Sequence, residues 1–180
     1  SGGVWYTDNN GTSFRSISED WPTQNIGEIS MDWNNKILWV GTGENNSSRS
    51  SYSGIGILKT EPNGSNWVNV GLTDSHHIGK ILINPTNKDH VIVGVTGHLY
   101  SKNKNRGVYV TKDGGSTWKK TLYIDDGTGI IDMAYTPNSF NIMYATAWEK
   151  DRKAWNFNEG GKGSAIYKSI DAGETWDNIS

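Results

Sequence analysis

One segment occurs four times in this 180-residue chain, and nothing else in the sequence narrows the possible folds as much. Residues 107–118, GVYVTKDGGSTW, recur at 165–176 as AIYKSIDAGETW. Looser copies stand at 3–14, GVWYTDNNGTSF, and at 56–67, GILKTEPNGSNW. The glycines common to the copies, Gly11, Gly64, Gly115 and Gly173, lie 53, 51 and 58 residues apart. Each position in the segment has a physical task. Asn9, Asp113 or Asp171 can accept hydrogen bonds from backbone N–H groups just ahead and close an Asx-type turn. The glycine supplies a positive φ that side chains adopt only at a cost. Phe14, Trp67, Trp118 and Trp176 open the next strand and bury a ring between neighbouring layers. In the second copy Pro62 stands where the acid belongs, so that turn is expected to have lost its side-chain acceptor while keeping its shape.

The intervening segments repeat as well. A first strand is expected at 26–31, 78–83 and 130–135, and a second at 37–40, 91–95 and 142–147. Tight turns join them at 32–36, 84–89 and 136–141. These runs are short, β-branched or aromatic, and fenced by Gly, Pro and Asn, which argues against buried helices. A long loop then leads to the third strand, the repeated turn and an outer strand. Composition agrees, since Gly 22, Trp 9 and Tyr 8 suit short strands joined by tight turns. The expected fold is all-β: a segment of a β-propeller with four-stranded antiparallel blades, each slightly longer than the usual repeat of about 40–50 residues. Residues 1–17 supply half a blade, and 18–71, 72–123 and 124–180 supply three full ones. A closed propeller has about 4–8 blades, so further blades of a parent protein are expected partners.

The Ser/Thr-x-Asp-x-Gly-x-Thr-Trp pattern at 111–118 and 169–176 resembles the Asp box, or BNR repeat, of sialidases, sortilin-like (Vps10) domains and a family of xyloglucan hydrolases. With Val40-Gly41-Thr42-Gly43-Glu44, His77-Ile78-Gly79-Lys80-Ile81 and Gly97-His98-Leu99, the whole chain resembles exported, glycosyl hydrolase-like BNR-repeat proteins of Bacteroidota. The resemblance implies the propeller fold and a secreted, periplasmic or cell-surface location. It implies no single activity, because Asp boxes occur in enzymes and binding proteins alike. It also implies a site on the face opposite the repeated turns.

Several function classes drop out. A net charge of −2 without a basic run gives no electrostatic footprint for nucleic acid. No stretch approaches 18 apolar residues, so no membrane span is expected. The absence of cysteine excludes disulfide and thiol chemistry and leaves the compartment open. The first residues carry no signal-peptide pattern and read directly as a strand.

The face away from the repeated turns collects the long loops, where function usually resides. Loop 43–53 offers Glu44 and Arg49. Loop 97–106 offers His98 and Tyr100 beside a basic cluster. Loop 148–163 offers Trp148, Glu149, Arg152, Trp155 and Phe157. Blade connections add Glu19, Asp20 and Trp21, then His76 and His77, then Asp125 and Asp126. The two adjacent histidines suggest a metal or a proton shuttle, but neighbouring side chains in an extended segment diverge and no third ligand has suitable spacing. No metal or cofactor is expected, and a repeated turn with one carboxylate is too poor in oxygen for calcium. Glu44, Asp125 and Asp126 are the candidate carboxylates for glycoside hydrolysis, which needs two at a set separation. Asp125-Asp126-Gly127 is equally an ordinary turn. Trp155 and Phe157 suit a stacking platform for a sugar or an anchor for a protein or peptide. Two readings follow: a recognition module binding protein, peptide or glycan, and part of a glycoside hydrolase with carboxylates from separate blades. The absence of a nucleophile–base arrangement favours the first.

Overall fold

The computed structural model describes residues 2–180; Ser1, the first residue of the expected half blade, lies outside the described residues. Strands β1 (Trp5–Tyr6) and β2 (Arg15–Ser16) form an antiparallel hairpin. Sheet one follows in chain order: β3 (Ile26–Asp32), β4 (Ile37–Thr42), β5 (Ile57–Thr60) and β6 (Val68–Asn69). Sheet two is β7 (Ile78–Asn84), β8 (Asn87–Val95), β9 (Gly107–Thr111) and β10 (Lys119–Leu122). Sheet three pairs β11 (Thr128–Thr136), β12 (Ser139–Glu149), β15 (Ala165–Ser169) and β16 (Asp177–Asn178). A separate hairpin, β13 (Asp151–Arg152) with β14 (Phe157–Asn158), is inserted between β12 and β15. One 3-10 turn (Thr73–Ser75) precedes β7, and the described residues contain no α-helix. The molecule is all-β, built from antiparallel four-stranded sheets.

Three cores hold the sheets face to face, one at each junction. Val4, Ile17 and Trp21 meet Leu38, Val40 and Leu58 between the first hairpin and sheet one. Trp39 and Ile57 meet Ile78, Ile81, Val91 and Val93 between sheets one and two. Leu82, Ile92 and Val108 meet Ile130, Met133 and Met143 between sheets two and three. Each such side chain stabilises the stack by about 1.5–3 kcal/mol when fully buried. The inner strands β3, β7 and β11 each carry a register shift at the same place, after Ile26, Ile78 and Ile130. Glu28, Lys80 and Asp132 follow these bulges, and Lys80 lies 3.0 Å from Glu28 and 3.8 Å from Asp132. The bulge re-aims one residue per inner strand, and opposite charges then line up from sheet to sheet.

The repeated turns are closed as their sequence dictates. In sheet two Thr117 N–H donates to Asp113 Oδ1 (2.9 Å), the Thr117 hydroxyl to Oδ2 (2.6 Å), and Gly115 N–H to the Thr111 hydroxyl (2.9 Å). Sheet three repeats this with Thr175, Asp171, Gly173 and Ser169; the first hairpin keeps the backbone bonds, Ser13 N–H to Asn9 Oδ1 and Gly11 N–H to the Thr7 hydroxyl, but there the Asn9 amide donates to the Ser13 hydroxyl (2.9 Å). Gly115 has φ +96, and a Cβ there would lie 2.8 Å from the Val70 side chain. Sheet one departs from expectation. Pro62 removes the aspartate, but acceptors remain: Glu61 takes a hydrogen bond from Asn66 Nδ2 (2.7 Å) and Asn63 Oδ1 takes one from Ser65 N–H (3.0 Å). The acceptor has moved to the residues either side of the proline.

Candidate loop surface

The loops leaving β4, β8 and β12 meet at one end of the sheets, and loop 43–53 is their hub. From sheet two, the Tyr100 hydroxyl donates to the Arg49 carbonyl at 2.5 Å. From sheet three, Lys150 Nζ donates to the Ser47 hydroxyl at 2.7 Å. The connection into β7 joins from below: Gly54 N–H donates to the His76 carbonyl (2.7 Å), and the Asp74 carbonyl lies 3.0 Å from His98 Nε2. Imidazoles of His76 and His98 stack with centroids 3.6 Å apart. A groove of about 340 Å³ runs between Tyr52, His76, His98 and Tyr100. A second, of about 520 Å³, is lined by Lys102, Tyr123, Asp125, Asp126 and Glu149.

Beneath this surface lie three bases without a carboxylate bound to any of them among the described residues. His77 is buried, and burial, helped by the charge of Lys150, lowers its pKa to about 4. Burial, with Arg106 adding repulsion, lowers that of Lys150 to about 7. Arg106 is almost fully enclosed and donates to the carbonyls of Thr96 (2.8 Å), His98 (2.8 Å) and Ser101 (3.1 Å). Fixed carbonyl dipoles therefore solvate that guanidinium in place of water. His77 Nδ1 and Thr128 Oγ1, both buried, have no hydrogen-bond partner among the described residues.

The structure sorts the sequence candidates. Arg49 and Trp155 are exposed, and Trp155, at the tip of the β13–β14 hairpin, leaves 85% of its surface in solvent. Phe157 turns inward instead. Arg152 caps its ring at 4.5 Å, Trp148 meets it edge-on at 5.8 Å, and the Trp148 indole N–H donates to the Glu159 carbonyl (3.1 Å). The expected two-ring platform is thus one exposed ring on a packed base. His76 is not extended: its φ is 59 and its ψ −44, and its ring stacks on His98 while His77 is buried. His77 is buried and offers no contact surface, contrary to its reading as a loop-face residue. Trp21 also departs: it is buried, and its indole N–H donates to the Gly64 carbonyl (3.1 Å) in the repeated turn of sheet one. The candidate carboxylates all have structural hydrogen bonds. Glu44 Oε2 accepts from Tyr52 N–H (3.0 Å), Asp125 Oδ1 from Gly127 N–H (2.7 Å), Asp126 from the Tyr123 hydroxyl, and Glu149 Oε2 from Gly163 N–H (2.8 Å). Lys150 and Ser47 were not singled out from sequence. A lysine inside WEKDRK reads as one solvated charge among several, and the hydrogen-bond partner it finds, Ser47, lies 103 residues away.

No protein-family model matches the sequence, and neither does any curated protein. Solved structures do resemble it. An ancestral GH74 enzyme superposes with a TM-score of 0.70 at 20% identity, over 99% of this chain and 21% of that one. A GH74 enzyme from Niastella koreensis gives 0.53 at 12% identity, over 100% of this chain and 39% of that one. YCF48 from Cyanidioschyzon merolae gives 0.54 at 19% identity, over 99% of this chain and 51% of that one. The chain therefore spans a minor part of the GH74 enzymes and half of YCF48. At these identities the likeness bears on architecture alone, and the architecture is that of a β-propeller.

Proposed function

We propose that this chain is part of an exported β-propeller recognition protein that binds a protein, peptide or glycan through the loop surface. The observation that carries this reading is the meeting of loops from three sheets at 43–53, with an exposed aromatic on each of those loops. Tyr52, Tyr100 and Trp155 present rings to solvent from three separate loops. Each loop is braced from behind, by Glu44, by Arg106 and by the Trp148–Phe157–Arg152 stack respectively. Rigid aromatic contacts lose little entropy on binding and dominate interface energetics. Screening the purified chain on oligosaccharide and peptide arrays tests the reading. Trp155→Ala and Tyr52→Ala are expected to weaken the captured ligand about tenfold each, the scale of a contact worth roughly 1.4 kcal/mol. Unchanged capture by both variants would remove the surface from consideration.

A second reading, part of a glycoside hydrolase, is favoured by one feature. Asp125, Asp126 and Glu149 converge on the 520 Å³ groove, and GH74 enzymes share the fold. Hydrolysis needs an acid and a second carboxylate flanking the scissile bond. Here the three side chains are engaged in holding their own turns, which is why binding leads. Release of reducing sugar from polysaccharide, abolished by Asp126→Asn or Glu149→Gln, would reverse that order.

A further inference from the structure

Because three sheets share one design, a residue that departs from it can be weighed against its counterparts. Ser30, Leu82 and Ala134 hold one position of the inner strand, each following the isoleucine before the bulge by the same interval. The turns that end these strands correspond as well. Asp32 Oδ1 accepts from Asn34 N–H (3.1 Å) and Asn84 Oδ1 from Thr86 N–H (3.0 Å), which closes one Asx turn around Trp33 and the other around Pro85. Pro137 follows Thr136 at that place in sheet three. Proline suits a turn position whose φ is held near about −65°, so the turn itself asks for no large ring there.

Both departures fall on one cleft. Between sheets two and three, Leu82 is buried in the core with Ile130 and Met133. Between sheets one and two, where Ser30 stands in place of the leucine, there is a groove of about 340 Å³. Trp33 lines it with 80% of its surface exposed. Ile81 and Ile83 give it apolar lining, and Tyr135, its ring edge-on to Phe140 at 5.0 Å, lines it too. Of the lining residues only Asp32 is charged, and its buried carboxylate is taken up by the turn: Oδ1 also accepts from Asn35 N–H (3.0 Å) and Oδ2 from Asn35 Nδ2 (2.9 Å). The side chains of Ser30 and Asn34, by contrast, make no hydrogen bond among the described residues. The groove belongs to the end of the sheets that carries the repeated turns. There Gly114 N–H donates to the Asp89 carbonyl beside the β7–β8 turn (3.0 Å), and Ala172 N–H to the Asn141 carbonyl beside the β11–β12 turn (3.0 Å).

We propose that this groove is a second binding site, distinct from the loop surface, and that it takes a neutral mono- or disaccharide unit of a glycan. An open indole face carries the negative side of the ring quadrupole and suits the C–H face of a pyranose. The uncommitted amide of Asn34 and hydroxyl of Ser30 each donate and accept, as sugar hydroxyls do. No unspent charge draws an ionic ligand. The volume lies at the small end of ligand sites, about 300–1,000 Å³, which suits a short sugar and not a folded partner.

Proton–nitrogen correlation NMR of the labelled chain tests this, with the Trp33 indole signal assigned through Trp33→Phe. The probes are glucose, cellobiose, maltose and mannobiose, with glucuronate and a neutral tripeptide as counter-probes. At least one neutral sugar is expected to move the Trp33 indole signal saturably. Calorimetry should then show that Trp33→Ala, a change at an exposed position, weakens that sugar about tenfold or more. Ser30→Leu, which fills the groove as Leu82 fills the next junction, should do the same. Ile170→Ala, an exposed apolar residue outside the groove, should leave the affinity unaltered. The inference is overturned if no sugar moves the signal up to about 20 mM, well past a millimolar dissociation constant. Undiminished affinity in Trp33→Ala also overturns it, as does binding of glucuronate or the tripeptide as tight as that of the neutral sugar.

Discussion

The repeated turns and the long loops stand on the same sheets but are held by opposite kinds of contact. A turn is closed within itself, the Thr117 hydroxyl reaching Asp113 four residues back. The loops are closed through each other, His98 to the Asp74 carbonyl across 24 residues, Tyr100 to Arg49 across 51, Lys150 to Ser47 across 103. Local closure makes the turn a fixed unit that can be copied from blade to blade. Closure at a distance leaves each loop free to differ in sequence, provided that its neighbours hold it. The difference explains how one fold keeps a constant side and a variable side.

The largest expected effect separates two tryptophans. Trp118→Ala removes a ring packed between sheets and an indole hydrogen bond, and should cost about 3 kcal/mol or more. Trp155→Ala should stay within about 0.5 kcal/mol of the parent chain. Urea unfolding followed by tryptophan fluorescence measures both, and equal losses would erase the distinction between turn and loop.

Acid should act on the turn side. Hydrogen bonds from Thr117 hold Asp113 at about 2; at Asp171, partial burial pushes the pKa up, but hydrogen bonds from Thr175 and Ser169 outweigh it and leave about 2. Both lie below the unfolded value of about 3.9, so their stabilisation is complete above that pH and disappears as pH falls towards 2. Thermal midpoints of Asp113→Asn with Asp171→Asn should therefore lie below those of the parent at pH 6 and converge with them near pH 2.

Base should act on the loop side. Folded Lys150 loses its proton near pH 7 and unfolded lysine near 10.4. Between those values the unfolded chain binds more protons, so this group makes stability rise with pH. In Lys150→Met that part of the rise should vanish, leaving the variant most favoured relative to the parent at or below pH 7. A constant difference between pH 7 and 10 would mean that Lys150 is not desolvated.

Legibility follows the same division. Asp113, Gly115 and Trp118 declare their turn because every group that closes it lies within a few letters. The inner strands were legible for a related reason: alternation and flanking Gly, Pro and Asn are local signals. Pro62 misled because the acceptor shifted by a single residue to either side. The β13–β14 hairpin leaves no local signal because its strands are two residues each, held by the Trp148, Phe157 and Arg152 side chains more than by backbone pattern. Burial of His77 and Lys150 depends on segments distant in sequence, and no window of the chain contains that information.

The claim beneath these comparisons is that loops from sheets one and three share a surface that excludes the repeated turns. The chain has no cysteine, so spin labels can be placed cleanly in pairs at Ser48 with Asp151 and at Ser48 with Ser116. Double electron–electron resonance should give a clearly shorter distance for the first pair than for the second. The reverse order, or equal distances, would contradict the shared loop surface and the proposed binding site with it.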